Sequence, residues 1–169
     1  MSAPAASTVH DTHEALVRHG FGPYFATPCG ILAPLLDRLE AEPGYHVVTR
    51  EDNAIGQAAG AALAGAAPVA LMQNSGFGQS VNALASLVVP YEIPMLLIVS
   101  LRGVDPDPTP ENLGMGRFTA TALDTLGIPH RVLDPGTAAE RVGWARRVLR
   151  EPRSAAALLV RPDTFGWKA

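Results

Sequence analysis

Near the middle of the chain the sequence reads Met95-Leu-Leu-Ile-Val-Ser100, a stretch with no charged side chain. A strand with one face in water alternates apolar and polar residues, whereas a strand covered on both faces is apolar almost throughout. Pro68-Val-Ala-Leu-Met72 has the same character, and a helical pattern near Gln79–Val88 separates the two stretches. Two buried strands joined by a helix predict a parallel sheet with helices on both sides.

The alternation of short apolar stretches and helical patterns continues in both directions along the chain. Four more strands are predicted at Phe21–Ala26, Tyr45–Thr49, His130–Leu133 and Ala156–Val160. Helices are predicted near His10–His19, Ile31–Ala41, Asp52–Ala64, Gln79–Val88, Arg117–Leu126 and Ala138–Arg150. We therefore predict a single α/β domain over residues 1–169, with three layers (α/β/α) and a parallel sheet of about six strands.

Two segments are expected to lie outside this regular pattern. Residues 1–9 are small and polar and predict an irregular terminus, not a signal peptide. Residues 104–116 predict a long loop, because prolines at 106, 108 and 110 disfavour helix and glycines at 103, 114 and 116 supply hinges. Such a loop is typical of a lid, of a partner contact or of a plain connection, and the sequence leaves these open.

Composition and charge exclude several classes of protein. The 169 residues include 13 basic and 16 acidic side chains without a run of like charge, which argues against binding to nucleic acid or to an anionic membrane. A single cysteine, Cys29, excludes an internal disulfide, and the histidines are not arranged as ligands, so no metal site is predicted. No apolar run approaches the ~20 residues of a membrane-spanning helix, so we expect a soluble cytoplasmic protein.

Polar or glycine-rich segments directly follow four of the predicted strands. These segments are Thr27-Pro-Cys-Gly30, Arg50-Glu-Asp-Asn53, Gln73-Asn-Ser-Gly-Phe-Gly78 and Leu101-Arg-Gly103. In an open parallel sheet, ligands bind outside the carboxyl ends of the strands. We therefore expect the four loops to converge on one functional edge.

Glu51 is the strongest candidate for a catalytic residue. It follows a predicted strand and opens a helix that carries no charge after Asp52 and consists mostly of alanine and glycine. An acidic residue at a helix start also fits a purely structural role, because it interacts favourably with the helix dipole. A helix that is apolar all round is buried, however, and the glycines at 56, 60 and 65 let another chain approach closely. This pattern favours contact with a partner subunit.

The other loops leave more than one interpretation open. Gln73–Asn82 is predicted to be a strand end, a glycine turn and a helix, and it departs from both a dinucleotide fingerprint and a nucleophile elbow. The turn either binds an anion or is structural. Arg102 suits a carboxylate, sulfonate or phosphonate through forked hydrogen bonds, or else pairs with Asp105 or Asp107. Cys29 fits a small buried side chain better than a nucleophile.

Together these segments resemble the pyrimidine-binding domain of thiamine-diphosphate enzymes. Within that superfamily they are similar to the alpha subunits of sulfopyruvate decarboxylase and to the matching half of phosphonopyruvate decarboxylase. The matching segments, over about residues 20–135, are Thr27-Pro-Cys-Gly30, Thr49-Arg-Glu51, Leu71-Met-Gln-Asn-Ser-Gly-Phe-Gly78, Asn82-Ala-Leu-Ala-Ser-Leu87, Ser100-Leu-Arg-Gly103, Met115-Gly-Arg117 and Leu123-Asp-Thr-Leu-Gly-Ile-Pro129.

The resemblance implies roles for individual residues. Glu51 matches the glutamate that hydrogen-bonds the aminopyrimidine ring of thiamine diphosphate and so promotes loss of the cofactor's thiazolium proton. Cofactor contacts are also implied for Pro28, Gln73, Asn74 and Gly76. Substrate contacts are implied for Asn74, Ser75, Arg102 and Cys29.

The resemblance also implies that this chain does not work alone. Enzymes of this family hold the diphosphate and Mg²⁺ with a Gly-Asp-Gly motif, which this sequence lacks. A diphosphate-binding beta subunit is therefore expected to hold both, in a hetero-oligomer with at least two copies of each chain.

The expected reaction is the decarboxylation of a small anionic 2-oxo acid, 3-sulfopyruvate or 3-phosphonopyruvate, to an aldehyde and CO₂. Three alternatives stay open at this point. The substrate is an ordinary 2-oxo acid, or the chain is a non-catalytic flavodoxin-like module for an anion or nucleotide, or it is a purely structural subunit.

Overall fold

The computed structural model describes residues 2–151 and 154–168 and shows alternating strands and helices. The strands are β1 (Tyr24–Ala26), β2 (Tyr45–Val47), β3 (Val69–Gln73), β4 (Leu96–Ser100), β5 (His130–Val132) and β6 (Ala156–Val160). The helices are α1 (Ala3–Arg18), α2 (Ala33–Leu39), α3 (Glu51–Leu63), α4 (Asn74–Ala83), α5 (Leu113–Thr125) and α6 (Ala138–Arg150). A π-helical turn, Leu84–Val88, extends α4, and a 3₁₀ turn, Pro110–Asn112, precedes α5.

The strands form one parallel sheet in the order β2-β1-β3-β4-β6-β5. Strands β3 and β4 pair from Val69 opposite Leu96 to Gln73 opposite Ser100, and every residue of β4 and β6 is buried. Helices α1, α2 and α6 cover one face, and α3, α4 and α5 cover the other. The predicted three-layer α/β/α fold with six parallel strands is therefore confirmed. None of the helices in the described parts of the chain is both long and apolar enough to cross a membrane.

The amino-terminal helix is longer than predicted. Helix α1 begins at Ala3, so the expectation of an irregular terminus over residues 1–9 is wrong from residue 3 onward, and Met1 lies outside the described residues. Ala5 and Val9 are buried, and the Thr8 hydroxyl donates a hydrogen bond to the Pro4 carbonyl at 2.9 Å. Proline is tolerated there, because the first turn of a helix needs no amide donor.

Two further differences concern the loops after β3 and β4. Helix α4 begins at Asn74, directly after β3, so the segment expected to be a glycine turn is helical. Helix α5 begins at Leu113, which shortens the predicted loop 104–116. Gly103 and Gly116 are sites of close packing. A Cβ on Gly103 would overlap the Asn112 backbone, and a Cβ on Gly116 would overlap the Gly103 backbone.

Candidate active site

The loops after β1, β2, β3 and β4 meet at the carboxyl edge of the sheet, as the sequence predicts for parallel strands. Contacts join these loops in three pairs: Glu51 with Gly76, Asn74 with Arg102, and Cys29 with Ser100. The edge therefore brings together the residues that the sequence singles out, although their environments differ.

Glu51 is the first residue of α3 and is partly exposed. The chain enters the helix through an extended Arg50, with φ −148° and ψ 145°. Arg50 pairs with Asp52, and Arg50 Nη2 lies 3.0 Å from Asp52 Oδ2. This ion pair leaves Glu51 between two charges that neutralise each other, and within residues 2–151 and 154–168 its carboxyl has no hydrogen-bond or ion-pair partner. The carboxyl is thus available to a ligand.

Gly76 provides the space that the Glu51 side chain occupies. It is buried in the first turn of α4, and a Cβ built on it would overlap Cγ, Cδ and Oε1 of Glu51. Any other residue at position 76 would displace the carboxyl. The glycine that suggests a turn in the sequence is instead required by this close approach of two helix starts.

The polar residues at the start of α4 divide into buried and accessible groups. Asn74 is fully buried, and its amide donates to the Arg102 carbonyl at 2.9 Å and accepts from the Arg102 N–H at 3.1 Å. It therefore holds the loop after β4 in place. Gln73 is half-buried and donates to the hydroxyl of the exposed Ser75 at 2.8 Å. Gln73 and Ser75 are the polar side chains of this turn that a ligand can reach.

Arg102 is held by the loop that follows it. Its Nε donates to the buried Asp107 carboxylate at 2.6 Å, and its Nη2 donates to Thr109 Oγ1 at 3.3 Å. This carboxylate raises the pKa of Arg102, and the guanidinium holds the pKa of Asp107 well below its usual range. Of the two interpretations of Arg102, the structure shows the ion pair with Asp107. A forked contact with an anion through the Nε edge is therefore excluded while this pair persists.

The loop after β1 exposes Pro28 and buries Cys29. Cys29 is 8% exposed, and its Sγ lies 3.1 Å from Ser100 Oγ, which confirms that it is a buried side chain. The neighbouring Thr27 hydroxyl is buried without a hydrogen-bond partner in the described residues. Pro28 and Cys29 line one end of an open groove of about 410 Å³ that continues along α2.

The sequence gives little or no signal for two other residues of this site. It offers Asp107 only as one of two partners for Arg102, whereas Asp107 also accepts hydrogen bonds from the Gly103 N–H at 2.9 Å and Asn112 Nδ2 at 3.2 Å. Trp167 lies far along the chain, beyond β6, yet its ring centroid is 4.9 Å from Arg102 Cζ. Only the tertiary fold brings these groups together.

The side chains at this edge suit one part of thiamine diphosphate better than the other. An accessible carboxyl beside a glycine in a close approach fits an aminopyrimidine ring, which needs an acid partner and a nearby backbone. In the part of the chain that the structure describes, no three His, Cys, Asp or Glu side chains are grouped as metal ligands. The residues present therefore fit the aminopyrimidine half of the cofactor.

The family model for the N-terminal TPP binding domain of thiamine pyrophosphate enzymes matches residues 7–114, and the chain belongs to this family. The resemblance seen in the sequence is thereby confirmed.

Several decarboxylases are similar to this chain. Sulfopyruvate decarboxylase subunit alpha of Methanothermobacter thermautotrophicus is 43% identical over 138 residues, which are 79% of this chain and 84% of that protein. Phosphonopyruvate decarboxylase of Streptomyces viridochromogenes is 41% identical over 100 residues, 57% of this chain and 25% of that protein. The structure of a thiamine diphosphate-dependent 4-hydroxybenzoylformate decarboxylase from Rhodococcus jostii RHA1 covers 96% of this chain, and this chain covers 31% of it, with a TM-score of 0.71 and 16% identity. That likeness supports the fold alone.

Proposed function

We propose that this chain is the aminopyrimidine-binding subunit of a two-subunit, thiamine-diphosphate-dependent decarboxylase that converts 3-sulfopyruvate or 3-phosphonopyruvate to an aldehyde and CO₂. The observation that carries the proposal is the partly exposed Glu51 carboxyl, which has no hydrogen-bond or ion-pair partner among the described residues and lies against Gly76 at the carboxyl edge of the sheet. Similarity to a sulfopyruvate decarboxylase alpha subunit over 84% of its length supports both the reaction and the division into subunits.

The residues of this chain have a limited chemical task. Thiamine diphosphate, when bound, supplies the carbon nucleophile and the electron sink for decarboxylation. The Glu51 carboxyl would hydrogen-bond the aminopyrimidine ring, and Gly76 leaves the space in which that carboxyl lies. Pro28 and Gln73 are accessible at the same edge and would contact the ring, whereas the buried Asn74 acts indirectly through the Arg102 loop.

A partner beta subunit is proposed to hold the diphosphate and Mg²⁺ and to dock on the outer face of α3. Gly56 and Gly60 are exposed on that face, and a Cβ on either would meet nothing within 4 Å. This chain alone has no need of glycine there, although each glycine costs about 1 kcal/mol relative to alanine. Leu63 is 69% exposed on the same helix, and α3 carries no charged residue after Asp52. Such an uncharged face is typical of a contact between chains.

The Arg102–Asp107 pair favours a second candidate, which is the decarboxylation of an ordinary 2-oxo acid. A guanidinium that is already paired attracts another anion less strongly than a free one does. The two candidates share the cofactor, the partner and Glu51, and they differ only in the group that the substrate carries beside its carboxylate.

The first experiment measures aldehyde formation from 3-sulfopyruvate, 3-phosphonopyruvate and pyruvate with thiamine diphosphate and Mg²⁺. The chain is assayed alone and mixed with a partner subunit that carries the Gly-Asp-Gly motif. We expect turnover of a doubly anionic substrate in the mixture only. Turnover of pyruvate alone would favour the second candidate, and turnover by this chain without a partner would contradict the two-subunit assignment.

Glu51→Gln separates an enzyme from a non-catalytic binding module or a structural subunit. Asp52→Asn is the matched control, because Asp52 is the next residue in the same helical turn and pairs with Arg50. We expect Glu51→Gln to abolish turnover while the complex still assembles, and Asp52→Asn to retain most activity. Wild-type activity in both variants would exclude Glu51 from catalysis.

A further inference from the structure

The segment after β6 packs over the arginine of the candidate substrate site. The ring of Trp167 lies over Arg102, with 4.9 Å from Cζ to the ring centroid. The segment is anchored on the amino-terminal side of this contact. Phe165 is 1% exposed in the core, and Arg161 Nη2 donates to the Asp105 carbonyl at 3.0 Å. Trp167 follows these anchored residues and itself packs against the same core cluster as Phe165.

Asp107 and Trp167 together restrict the Arg102 guanidinium. Asp107 and Thr109 accept hydrogen bonds from Nε and Nη2, and the indole ring covers one face of the guanidinium. Within the described residues, Nη1 is the one guanidinium nitrogen without a hydrogen-bond partner. The Arg102 side chain is 22% exposed, so Nη1 is the nitrogen left for a ligand.

The Asp107 carboxylate binds several donors besides Arg102. Its carboxylate also accepts from the Gly103 N–H at 2.9 Å, the Thr109 N–H at 3.2 Å and Asn112 Nδ2 at 3.2 Å. These donors hold the carboxylate beside Nε and Nη2, and among the described residues nothing accepts the N–H groups of Nη1. Glu111, the other acidic residue near Arg102, is exposed, and solvent screens it.

We propose that Trp167 is a positioning residue for substrate specificity, which fixes the plane of the Arg102 guanidinium so that Nη1 is presented to the sulfonate or phosphonate group. This inference rests on the proposed function. An unrestrained arginine loses side-chain freedom when it binds an anion, and stacking on Trp167 removes that loss beforehand. Because Trp167 acts through Arg102, its effect is on substrate binding and not on the chemical step.

The test compares variants of both tryptophans in the assembled enzyme. Trp167→Ala is expected to raise KM for the doubly anionic substrate about threefold to fivefold with kcat almost unchanged, and Trp167→Phe, which keeps an aromatic face, is expected to restore KM. Trp144→Ala is the matched control, since Trp144 stacks on Arg131 with 4.6 Å from Cζ to the ring centroid but lies on α6, outside the site. The inhibition constant of 3-sulfopropionate should follow KM, and that of propionate should not change.

A second measurement does not depend on how well Trp167→Ala assembles. The chain contains two tryptophans, so 5-fluorotryptophan placed in this chain alone gives one ¹⁹F resonance for each when it is mixed with unlabelled partner. We expect 3-sulfopropionate to shift the Trp167 resonance and not the Trp144 resonance, and Arg102→Lys to remove the shift.

The outcomes separate this inference from the proposed function. An active wild-type complex in which Trp167→Ala has the same KM as Trp144→Ala, or in which 3-sulfopropionate moves neither resonance, overturns the inference alone. A complete complex that turns over neither 3-sulfopyruvate nor 3-phosphonopyruvate overturns the proposed function and the inference with it.

Discussion

Replacing Gly76 with alanine tests whether the site depends on the position of the Glu51 carboxyl. A methyl group at position 76 would overlap Cγ, Cδ and Oε1 of Glu51. Carbon atoms pack about 3.5–4.0 Å apart, so the carboxyl would have to move by at least about 1 Å. A displacement of this size near the reacting groups costs about 100-fold in rate. That loss corresponds to about 2.7 kcal/mol of transition-state stabilisation.

The same substitution is not expected to unfold the protein. Position 76 lies inside α4, where alanine is favoured over glycine by about 1 kcal/mol, which offsets the rearrangement of Glu51. Gly78→Ala is the matched control in the same helix. Its Cβ would lie 2.9 Å from Cε of Met115, the far end of a flexible side chain that can move without affecting Glu51.

The assay is kcat of the assembled enzyme at saturating substrate and cofactor, with Tm measured by circular dichroism. Gly76→Ala should lose about 100-fold in kcat, while Gly78→Ala stays within about threefold of wild type. A fully active Gly76→Ala variant with an unchanged Tm would refute the argument, because the carboxyl would then not need its observed position. Equal losses in both variants would point to a general disturbance of α4.

Three other substitutions test the partner face of α3, the Arg102–Asp107 pair and the buried Tyr24. Gly60→Ala should stabilise the isolated chain by about 1 kcal/mol, because a Cβ there meets nothing within 4 Å, and should weaken partner binding; thermal unfolding and a binding titration measure the two effects. Asp107→Asn should lower Tm at pH 7. Since the pKa of Asp107 is lower in the folded state than in the unfolded state, its contribution is complete above about pH 4 and is lost as the pH falls further, so the Tm difference from wild type should shrink in acid. Tyr24 donates to the Phe21 carbonyl at 2.9 Å, and burial raises its pKa to about 12, so stability should fall as pH rises from about 10 to 12, and Tyr24→Phe should remove that component of the alkaline unfolding curve.

Strands were easier to predict than helix starts, for a physical reason. The residues of β6 are apolar on both faces, and the predicted and observed bounds, Ala156–Val160, agree. Helix α4 shows the opposite case. Glycine usually disfavours helix, so Gly76 and Gly78 predict a turn, but tight packing against Glu51 and Met115 requires glycine inside a helix. Tertiary contacts of this kind are not encoded in local periodicity.

The position of the candidate site could be predicted from the sequence, but the contacts between its side chains could not. Parallel topology brings the loops with Glu51, Asn74 and Arg102 to one edge, whatever their side chains do there. The choice of Asp107 as the partner of Arg102 depends on the course of residues 103–112. The approach of Trp167 depends on a segment that is distant in sequence. Neither leaves a pattern along the chain.

Asn74 and Gly76 lie in the same turn of α4. Their proximity determines how long a segment of chain must be exchanged to change the substrate preference. Transplanting only residues 103–112 from a protein with another substrate would break the fit to Asn74, which grips the loop at Arg102, and to Gly116, on which the loop rests. A transplanted loop that fits poorly would displace Asn74. Because Gly76 lies in the same turn as Asn74, the Glu51 carboxyl that packs against Gly76 would move as well. The resulting loss of catalysis would then hide any change in substrate preference. The smallest segment to exchange is therefore residues 73–116, which includes the starts of α4 and α5.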